Sequence, residues 1–176
     1  YATPEYYHEF RYEMDRALKE SKAIIHKAGK EFGAMFGRDY SAMVEGYRLD
    51  DAETAIVAMG SICGTTKDAI DEMREEGHKV GLLKIRVFRP FPTEDVAKAL
   101  AHVKRVAVLD KNVSLGAKGA VALEVKDALY NSGIPVKGYI IGLGGRDVRK
   151  KDIKAIVALV EKGEGDMFYG LRKEVL

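Results

Sequence analysis

Residues able to bind or react are concentrated in glycine-rich loops that follow short apolar runs. The clearest of these loops is Gly142-Leu143-Gly144-Gly145-Arg146-Asp147. Its backbone could wrap a phosphate group, with Arg146 as the counter-charge. It could equally be a tight turn in which glycines adopt positive φ and Asp147 caps the next helix. The pattern leaves both interpretations open, so Gly144, Gly145 and Arg146 are candidate ligand-binding residues.

A second loop of this kind, Gly60-Ser61-Ile62-Cys63-Gly64-Thr65-Thr66, follows another apolar run. Its N–H groups and hydroxyls could hold an anion at a helix N-terminus. It lacks the Gly-Lys-Ser/Thr ending of a P-loop and the spacing of a dinucleotide fingerprint. A plain N-cap at Thr65 or Thr66 is therefore the favoured interpretation. The weaker ligand-binding candidates in this loop are Gly60, Ser61, Gly64 and Thr65.

Two further loops carry charged or aromatic groups. Asp110-Lys111-Asn112 places a carboxylate beside an ammonium, which could transfer protons, although a surface ion pair is the favoured interpretation. Phe88-Arg89-Pro90-Phe91-Pro92 holds two rings between prolines that fix φ. Such a rigid aromatic loop suits docking to another protein more than it suits covering its own sheet edge. The interface candidates are Arg86, Phe88, Arg89, Phe91, Asp110 and Asn112.

The remaining reactive side chains do not form a catalytic or metal-binding set. Cys63 is the single cysteine, and the four histidines lack the spacing of metal ligands. One thiol cannot form an intrachain disulfide, and an iron–sulfur cluster typically takes four thiolates. No Ser-His-Asp arrangement can be assembled. We therefore expect no catalytic residue and no bound metal in this chain, and a reducing, cytoplasmic location.

The composition argues against two classes of partner. With 29 basic and 27 acidic residues the net charge is +2, which gives no electrostatic reason for binding nucleic acid. No apolar run reaches the roughly 20 residues that span a bilayer, and the polar start does not resemble a signal peptide. The 176 residues suit one compact domain plus an appendage. Because the first residue is Tyr1 rather than Met, we expect a piece of a longer protein.

The elements that must position these loops begin with a long helix. Thr3-Pro4-Glu5 is a typical helix start, and Gly33 and Gly37 mark the end. Between them apolar residues recur at steps of three and four. This stripe comprises Tyr7, Phe10, Met14, Ala17, Leu18, Ser21, Ile24, Ile25, Ala28 and Phe32. A stripe of this length should lie across the domain or against another chain.

After residue 53, apolar runs alternate with amphipathic segments. The runs lie at 54–59, 80–87, 106–109 and 136–141. Helices are expected at 65–76, 93–102, 117–131 and 149–162. This alternation predicts an open, mainly parallel, doubly wound α/β sheet with helices on both faces. The expected divisions are a long helix (1–37), a linker (38–53), an α/β domain (54–162) and a packed C-terminal extension (163–176).

Several of these motifs, in one order, resemble a known family. They are Phe-Gly-Arg-Asp-Tyr (36–40), Ala-Met-Gly-Ser-x-x-Gly-Thr (58–65), Lys-Ile-Arg-Val-Phe-Arg-Pro-Phe-Pro (84–92), Val-Ala-Val-Leu-Asp-Lys-Asn-x-Ser-x-Gly (106–116) and Gly-Leu-Gly-Gly-Arg-Asp-Val (142–148). The series resembles the alpha subunit of pyruvate:ferredoxin oxidoreductase (pyruvate synthase) and, more broadly, the 2-oxoacid:ferredoxin oxidoreductases. The resemblance spans nearly the whole chain.

The resemblance implies a place in a complex. In that family a pyrimidine-binding domain for thiamine diphosphate precedes a domain similar to the transketolase C-terminal domain, and this chain matches only the second. The implied reaction converts pyruvate and coenzyme A to acetyl-CoA and CO₂ and reduces ferredoxin. Thiamine diphosphate, Mg²⁺, iron–sulfur clusters and coenzyme A would belong to the parent complex, and none to this chain. The implied partners are the pyrimidine-binding domain of the same subunit, beta-, gamma- and delta-type subunits, and ferredoxin through the complex.

The resemblance thus implies a domain for assembly and positioning that is inactive alone. A competing hypothesis is a ligand-binding α/β module with a nucleotide or coenzyme A on its glycine-rich loops. A third, a small autonomous enzyme that uses Asp110 and Lys111, has the least support because no other residue converges on that pair.

Overall fold

The computed structural model describes residues 3–176, which form two compact units. The first unit contains the chain up to Met43 together with Val87–Pro92. The second contains Val44–Arg86 and Thr93–Leu176. The first unit is mainly helical, whereas the second is an α/β sheet domain.

A single long helix dominates the first unit. Helix α1 (Pro4–Phe36) has proline in its first turn, where the missing N–H removes no helical hydrogen bond. It ends at Gly37, which adopts a φ of 69° and donates its N–H to the carbonyl oxygen of Gly33 at 2.8 Å. The long N-terminal helix expected from the apolar stripe is confirmed.

The segment after α1, residues 37–43, packs against one face of the C-terminal half of the helix. Nδ1 of His26 lies 2.5 Å from the carbonyl oxygen of Ser41. Gly29 is buried, and a Cβ at this position would overlap the backbone of Ser41. A glycine is therefore required where the two backbones approach. In contrast, residues 4–20 of α1 are all exposed.

The second unit is built on a six-stranded sheet in the order β1-β3-β2-β4-β5-β6. The strands are β1 (Val44–Tyr47), β2 (Thr54–Met59), β3 (Val80–Ile85), β4 (Arg105–Asp110), β5 (Val136–Ile140) and β6 (Met167–Phe168). The helices are α2 (Ile62–Glu75), α3 (Thr93–Leu100), α4 (Ala120–Ala128) and α5 (Lys150–Glu161). Pairing is parallel throughout except between β1 and β3. The open, mainly parallel α/β sheet expected from the sequence is confirmed.

Helices cover both faces of this sheet. On one face α2 packs against α5, and on the other α3 packs against α4. The apolar cluster on the first face includes Ile70 and Met73 of α2 and Ile153 and Ile156 of α5. Strands β2 and β4 are continuous apolar runs because both of their faces are buried.

Several element boundaries differ from the expectation, including the ends of α3 at Leu100 rather than 102 and of α4 at Ala128 rather than 131. Residues 44–47 form the antiparallel edge strand β1 inside the stretch predicted as a linker. This strand is short and contains a charge and a glycine, so its sequence signal is weak. Helix α2 begins at Ile62 rather than 65, and α4 begins at Ala120 rather than 117.

A buried carboxylate starts helix α4. Asp110 ends β4 with 1% of its surface exposed, and its two carboxylate oxygens accept the N–H groups of Val121 and Ala122, each at 2.9 Å. These N–H groups would otherwise lack partners, because the first turn of a helix has no preceding carbonyls. The contact brings the backbone so close that a Cβ on Gly119 would overlap the carboxyl group of Asp110.

Replacing Gly119 with alanine tests this close approach. We expect Gly119→Ala to lower the free energy of unfolding by about 2–4 kcal/mol, because the methyl group displaces a carboxylate that accepts two hydrogen bonds. The measurement is urea denaturation followed by circular dichroism. Gly64→Ala is the control, since Gly64 lies in α2 with open space at its Cβ position, and it should raise stability by about 0.5–1 kcal/mol. Equal effects of the two changes would contradict the structural role of Gly119.

Candidate functional site

The candidate loops lie at the carboxyl ends of the parallel strands, where α/β sheets usually bind ligands. After β2 the chain crosses to β3, toward one edge of the sheet, and after β4 it crosses to β5, toward the opposite edge. Because β2 and β4 are neighbours, the loops that follow them diverge at the position where sheets of this kind usually bind ligands. Gly60 and Ser61 follow β2 on one side of this position, and residues 111–119 follow β4 on the other.

The loop after β2 is shorter than the sequence suggested. Gly60 turns the chain with a φ of 73°, and α2 begins two residues later at Ile62. Thr65 and Thr66 therefore lie inside the helix, and the predicted N-cap at either residue is wrong. The hydroxyl of Thr66 instead donates to the carbonyl oxygen of Ile62 at 2.9 Å. Of the four ligand-binding candidates in this loop, Gly60, Ser61 and Gly64 are exposed and Thr65 is half-buried.

The loop after β4 is organised by backbone capping. Asp110 uses both oxygens on the N-terminus of α4, and the side-chain oxygen of the exposed Asn112 accepts the N–H of Ala120 at 3.0 Å. Burial raises the pKa of Asp110, while the two N–H groups oppose that shift. The sequence suggested that Asp110 forms a surface ion pair with Lys111 and that it contacts another protein. A buried side chain is not placed for either role. Asn112 remains accessible.

The loop after β5 is a tight turn. Gly142, Gly144 and Gly145 adopt φ values of 68°, 64° and 81° in and before a short 3₁₀ turn. A side chain at any of them would be strained, because this left-handed region is costly for residues with a Cβ. The turn alone therefore accounts for the glycines.

The charged residues of this loop bind within the chain. Nη1 of Arg146 donates to the carbonyl oxygen of Gly170 at 2.6 Å, which ties the C-terminal extension to the turn. Asp147 pairs with Arg149 at 2.7 Å and does not cap α5. Asp152 performs that role by accepting the N–H of Arg149 at 2.8 Å. The predicted cap at Asp147 is wrong because the helix begins three residues later, at Lys150.

The aromatic loop belongs to the first unit. The rings of Phe88 and Phe91 meet edge to face with centroids 6.0 Å apart. The guanidinium of Arg89 lies 4.1 Å from the centroid of Phe88. Both rings are half-buried, and Arg89 is exposed. The structure thus brings these three interface candidates into one stacked group.

Arg86 lies in a charge cluster that sequence reasoning missed. A single carboxylate, Glu45 on β1, contacts Lys67 at 2.8 Å, Arg86 at 3.0 Å and Lys84 at 3.6 Å. Lys67 and Arg86 lower the pKa of Glu45 to about 2, against the opposing effect of burial. In the sequence, this cluster is indicated only by Lys84 and Arg86, which are charged residues within the apolar run at 80–87.

A second cluster lies beside β5 and β6. Asp166 contacts Lys126 at 2.7 Å and Lys118 at 3.0 Å, and it accepts the N–H of Gly138 at 3.0 Å. Burial would raise the pKa of Asp166, but these partners hold it well below its usual range. Asp166 follows Lys126 by 40 residues and Lys118 by 48, so spacing in the sequence could not predict the cluster.

Neither cluster resembles a metal site. Among residues 3–176, no group of three or more His, Cys, Asp or Glu side chains could hold a metal ion. Cys63 is buried, and burial raises the pKa of its thiol. In the same described part of the chain, no helix is both long enough and apolar enough to cross a membrane.

Acid denaturation tests the pairing of Glu45. Because its pKa is lowered, the ionised carboxylate stabilises the folded chain above pH 4.5, and this contribution is lost as the pH falls toward 2. Glu45→Gln should flatten the pH dependence of the unfolding free energy in this window by on the order of 2 kcal/mol. The measurement is urea denaturation at a series of pH values. Glu75→Gln, at an exposed position of α2, is the control, and an identical profile for both variants would contradict the assignment.

The sequence matches a protein-family model and longer relatives. The model described as pyruvate:ferredoxin oxidoreductase core domain II matches residues 52–153. Ketoisovalerate oxidoreductase subunit VorA of Pyrococcus horikoshii is 49% identical over 171 residues, covering 94% of this chain and 43% of that protein. Pyruvate synthase subunit PorA of Methanothermobacter thermautotrophicus is 45% identical over 175 residues, covering 99% of this chain and 45% of that protein. The chain therefore spans less than half the length of these relatives.

Two solved structures share the fold. A 2-oxoglutarate:ferredoxin oxidoreductase from Magnetococcus marinus matches with a TM-score of 0.50 and 21% identity over 76% of this chain and 21% of its own. A split-gene transketolase matches with a TM-score of 0.52 and 18% identity over 65% of this chain and 40% of its own. From the family match over more than half of its length and from relatives 45–49% identical, the chain belongs to the pyruvate:ferredoxin oxidoreductase core domain II family.

Proposed function

We propose that this chain is part of the alpha subunit of a pyruvate (2-oxoacid):ferredoxin oxidoreductase. The parent complex would convert pyruvate and coenzyme A to acetyl-CoA and CO₂ in the cytoplasm and pass the electrons to ferredoxin. The support is the family membership and the names of the relatives, which are subunits of pyruvate synthase and ketoisovalerate oxidoreductase.

Within that complex the chain acts in assembly and positioning. The observation that carries this role is the exposed apolar surface of α1, where Tyr7, Phe10 and Met14 each expose more than half of their surface. Large apolar side chains grouped on one face typically mark a protein interaction site. Fixing the cofactor-binding domains relative to each other contributes to the rate without donating a group to the reaction.

The residues present do not fit the cofactors of the parent complex. An iron–sulfur cluster needs about four thiolates, and the chain has one cysteine. Magnesium prefers carboxylate oxygens together with water or phosphate, but Glu45 and Asp166 are surrounded by lysine and arginine side chains. Asp110 is occupied by backbone N–H groups. We therefore assign the iron–sulfur clusters and Mg²⁺ to other domains and subunits of the parent complex, and we assign thiamine diphosphate and coenzyme A to those parts as well.

The proposed partners are the pyrimidine-binding domain of the same subunit and beta-, gamma- and delta-type subunits, with ferredoxin reached through the complex. We place contacts to them on Arg89, Phe88 and Phe91 and on Asn112. The stacked loop has the composition of an interface hot spot, since arginine and aromatic residues carry a large share of binding energy.

Purification of the parent chain from its native source tests the function. A tag on that chain should recover subunits that carry thiamine diphosphate and iron–sulfur clusters, detectable by native mass spectrometry, and the eluate should reduce ferredoxin when pyruvate and coenzyme A are added. The chain alone should show no such activity. Recovery of the chain without other subunits would overturn the proposal.

A charge reversal in the aromatic loop tests the proposed contact. We expect Arg89→Glu to reduce the recovery of partner subunits about tenfold or more, because it reverses the charge that is stacked on Phe88. The same purification gives the measurement. Lys98→Glu, at an exposed position of α3, is the matched control and should leave recovery unchanged. Equal recovery from both variants would remove Arg89 from the interface.

A further inference from the structure

We propose that the apolar stripe of α1 binds a second copy of this chain, so that two α1 helices pack antiparallel. This pairing rests on the proposed assembly role and goes beyond it, because it identifies the molecule that covers the apolar stripe of α1. Four properties of α1 support it: the spacing of its apolar residues, their exposure, their sizes and the distribution of charge.

The spacing predicts that the occupant is a helix. The seam consists of Tyr7, Phe10, Met14, Ala17, Ser21, Ile24 and Ala28, which follow alternating steps of three and four residues without interruption. This seven-residue repeat keeps one narrow stripe facing a neighbouring helix that crosses at about 20°. A flat protein surface would not need so regular a repeat.

Six of the seven seam residues are exposed, and Ser21 is half-buried. Tyr7, Phe10, Met14 and Ile24 expose 55%, 54%, 61% and 69% of their surface. The segment that follows α1 contacts the helix at His26, Gly29 and Phe32. His26 and Gly29 are rotated away from the seam, and Phe32 lies beyond its last residue, Ala28. That segment therefore leaves the seam accessible to another helix.

The sizes of the seam residues favour an antiparallel pair. The bulky residues Tyr7, Phe10 and Met14 occupy the first half, whereas alanine and serine occupy most of the second half. A parallel pair would place bulky residues against each other and small residues against each other, which leaves gaps. An antiparallel pair places Phe10 against Ala28 of the second copy and Ala17 against Ser21. Phe10, the bulkiest residue inside the paired stretch, then meets a small one, Met14 meets Ile24 of similar size, and Tyr7 lies opposite Glu31.

The charge of α1 favours the same orientation. Residues 4–20 contain five Asp or Glu and three Lys or Arg, whereas residues 21–36 contain one Glu and three Lys. Two helices running in opposite directions bring the acidic half of each against the basic half of the other. In the register above, Glu13 lies near Lys27 of the second copy, beside the seam, where charged pairs set the orientation of coiled coils.

Sedimentation equilibrium of the 176-residue chain tests the pairing. We expect a dimer, and we expect Phe10→Glu to raise its dissociation constant by about 100-fold or more, because the carboxylate would be buried in the seam. Tyr12→Glu is the matched control, since Tyr12 is 61% exposed but lies on the opposite face of the helix. It should leave the dimer intact. A monomeric wild-type chain, or equal weakening by the two variants, would overturn the proposal.

Cysteine cross-linking tests the orientation. Positions 10 and 28 are 18 residues apart, so in an antiparallel pair each lies about 27 Å from the same position in the second copy. Phe10→Cys and Ala28→Cys should each fail to cross-link alone and should cross-link when the two variants are mixed. Cys63 is buried, so the wild-type chain is the background control. Cross-linking of either variant with itself would indicate parallel helices and overturn the proposal.

The outcome is separable from that of the proposed function. A monomeric chain overturns the helix pairing but does not affect the assembly role, which is tested separately by the recovery of other subunits. A dimer that recovers no other subunits supports the pairing and overturns the oxidoreductase assignment.

Discussion

Two hydrogen bonds from the N-terminus of α4 to Asp110 fix the arrangement of the loops at the carboxyl ends of the strands, where the candidate site lies. Strand β4 is central, and the helix that follows it must begin where the buried carboxylate can meet two N–H groups. Ionised carboxylates are costly to bury unless hydrogen bonds and a helix dipole compensate them. The contact also requires a glycine at position 119, since any side chain there would occupy the volume of the carboxyl group. Both oxygens of this aspartate already accept a backbone N–H, and its side chain is buried.

The same use of polar groups recurs around the neighbouring strand β5. The hydroxyl of Tyr139 donates to the carbonyl oxygen of Glu164 at 2.5 Å, and burial raises its pKa to about 12. Asp166 accepts the N–H of Gly138, and Arg146 donates to the carbonyl oxygen of Gly170. Each bond holds the C-terminal extension against the sheet. These polar residues thus stabilise the fold around β5.

The sequence allowed prediction of features that depend on local periodicity. The apolar run at 54–59 indicates a buried strand, and the steps of three and four residues along α1 indicate a helix. The caps predicted at Thr65 or Thr66 and at Asp147 are wrong, because a helix start depends on where the preceding strand leaves the sheet. Pairs such as Glu45 with Arg86 were also beyond prediction, since they join residues on different strands. Asp110 shows the limit most clearly: its position after a strand was correctly identified, but only the packing of α4 reveals its role.

The first half of α1 has a stability that its own residues do not explain. Residues 4–20 are exposed on every side, whereas most of the stability of helices in proteins comes from packing of an apolar face. The pairs Arg16–Glu13 and Lys19–Asp15 are local and exposed, and each contributes only about 0.2–0.5 kcal/mol. Burial of the seam against a neighbouring helix would contribute more, at about 1.5–3 kcal/mol for each large apolar side chain. We therefore expect helix formation and assembly to be coupled along residues 4–20, because the burial that would stabilise this exposed stretch comes from a partner.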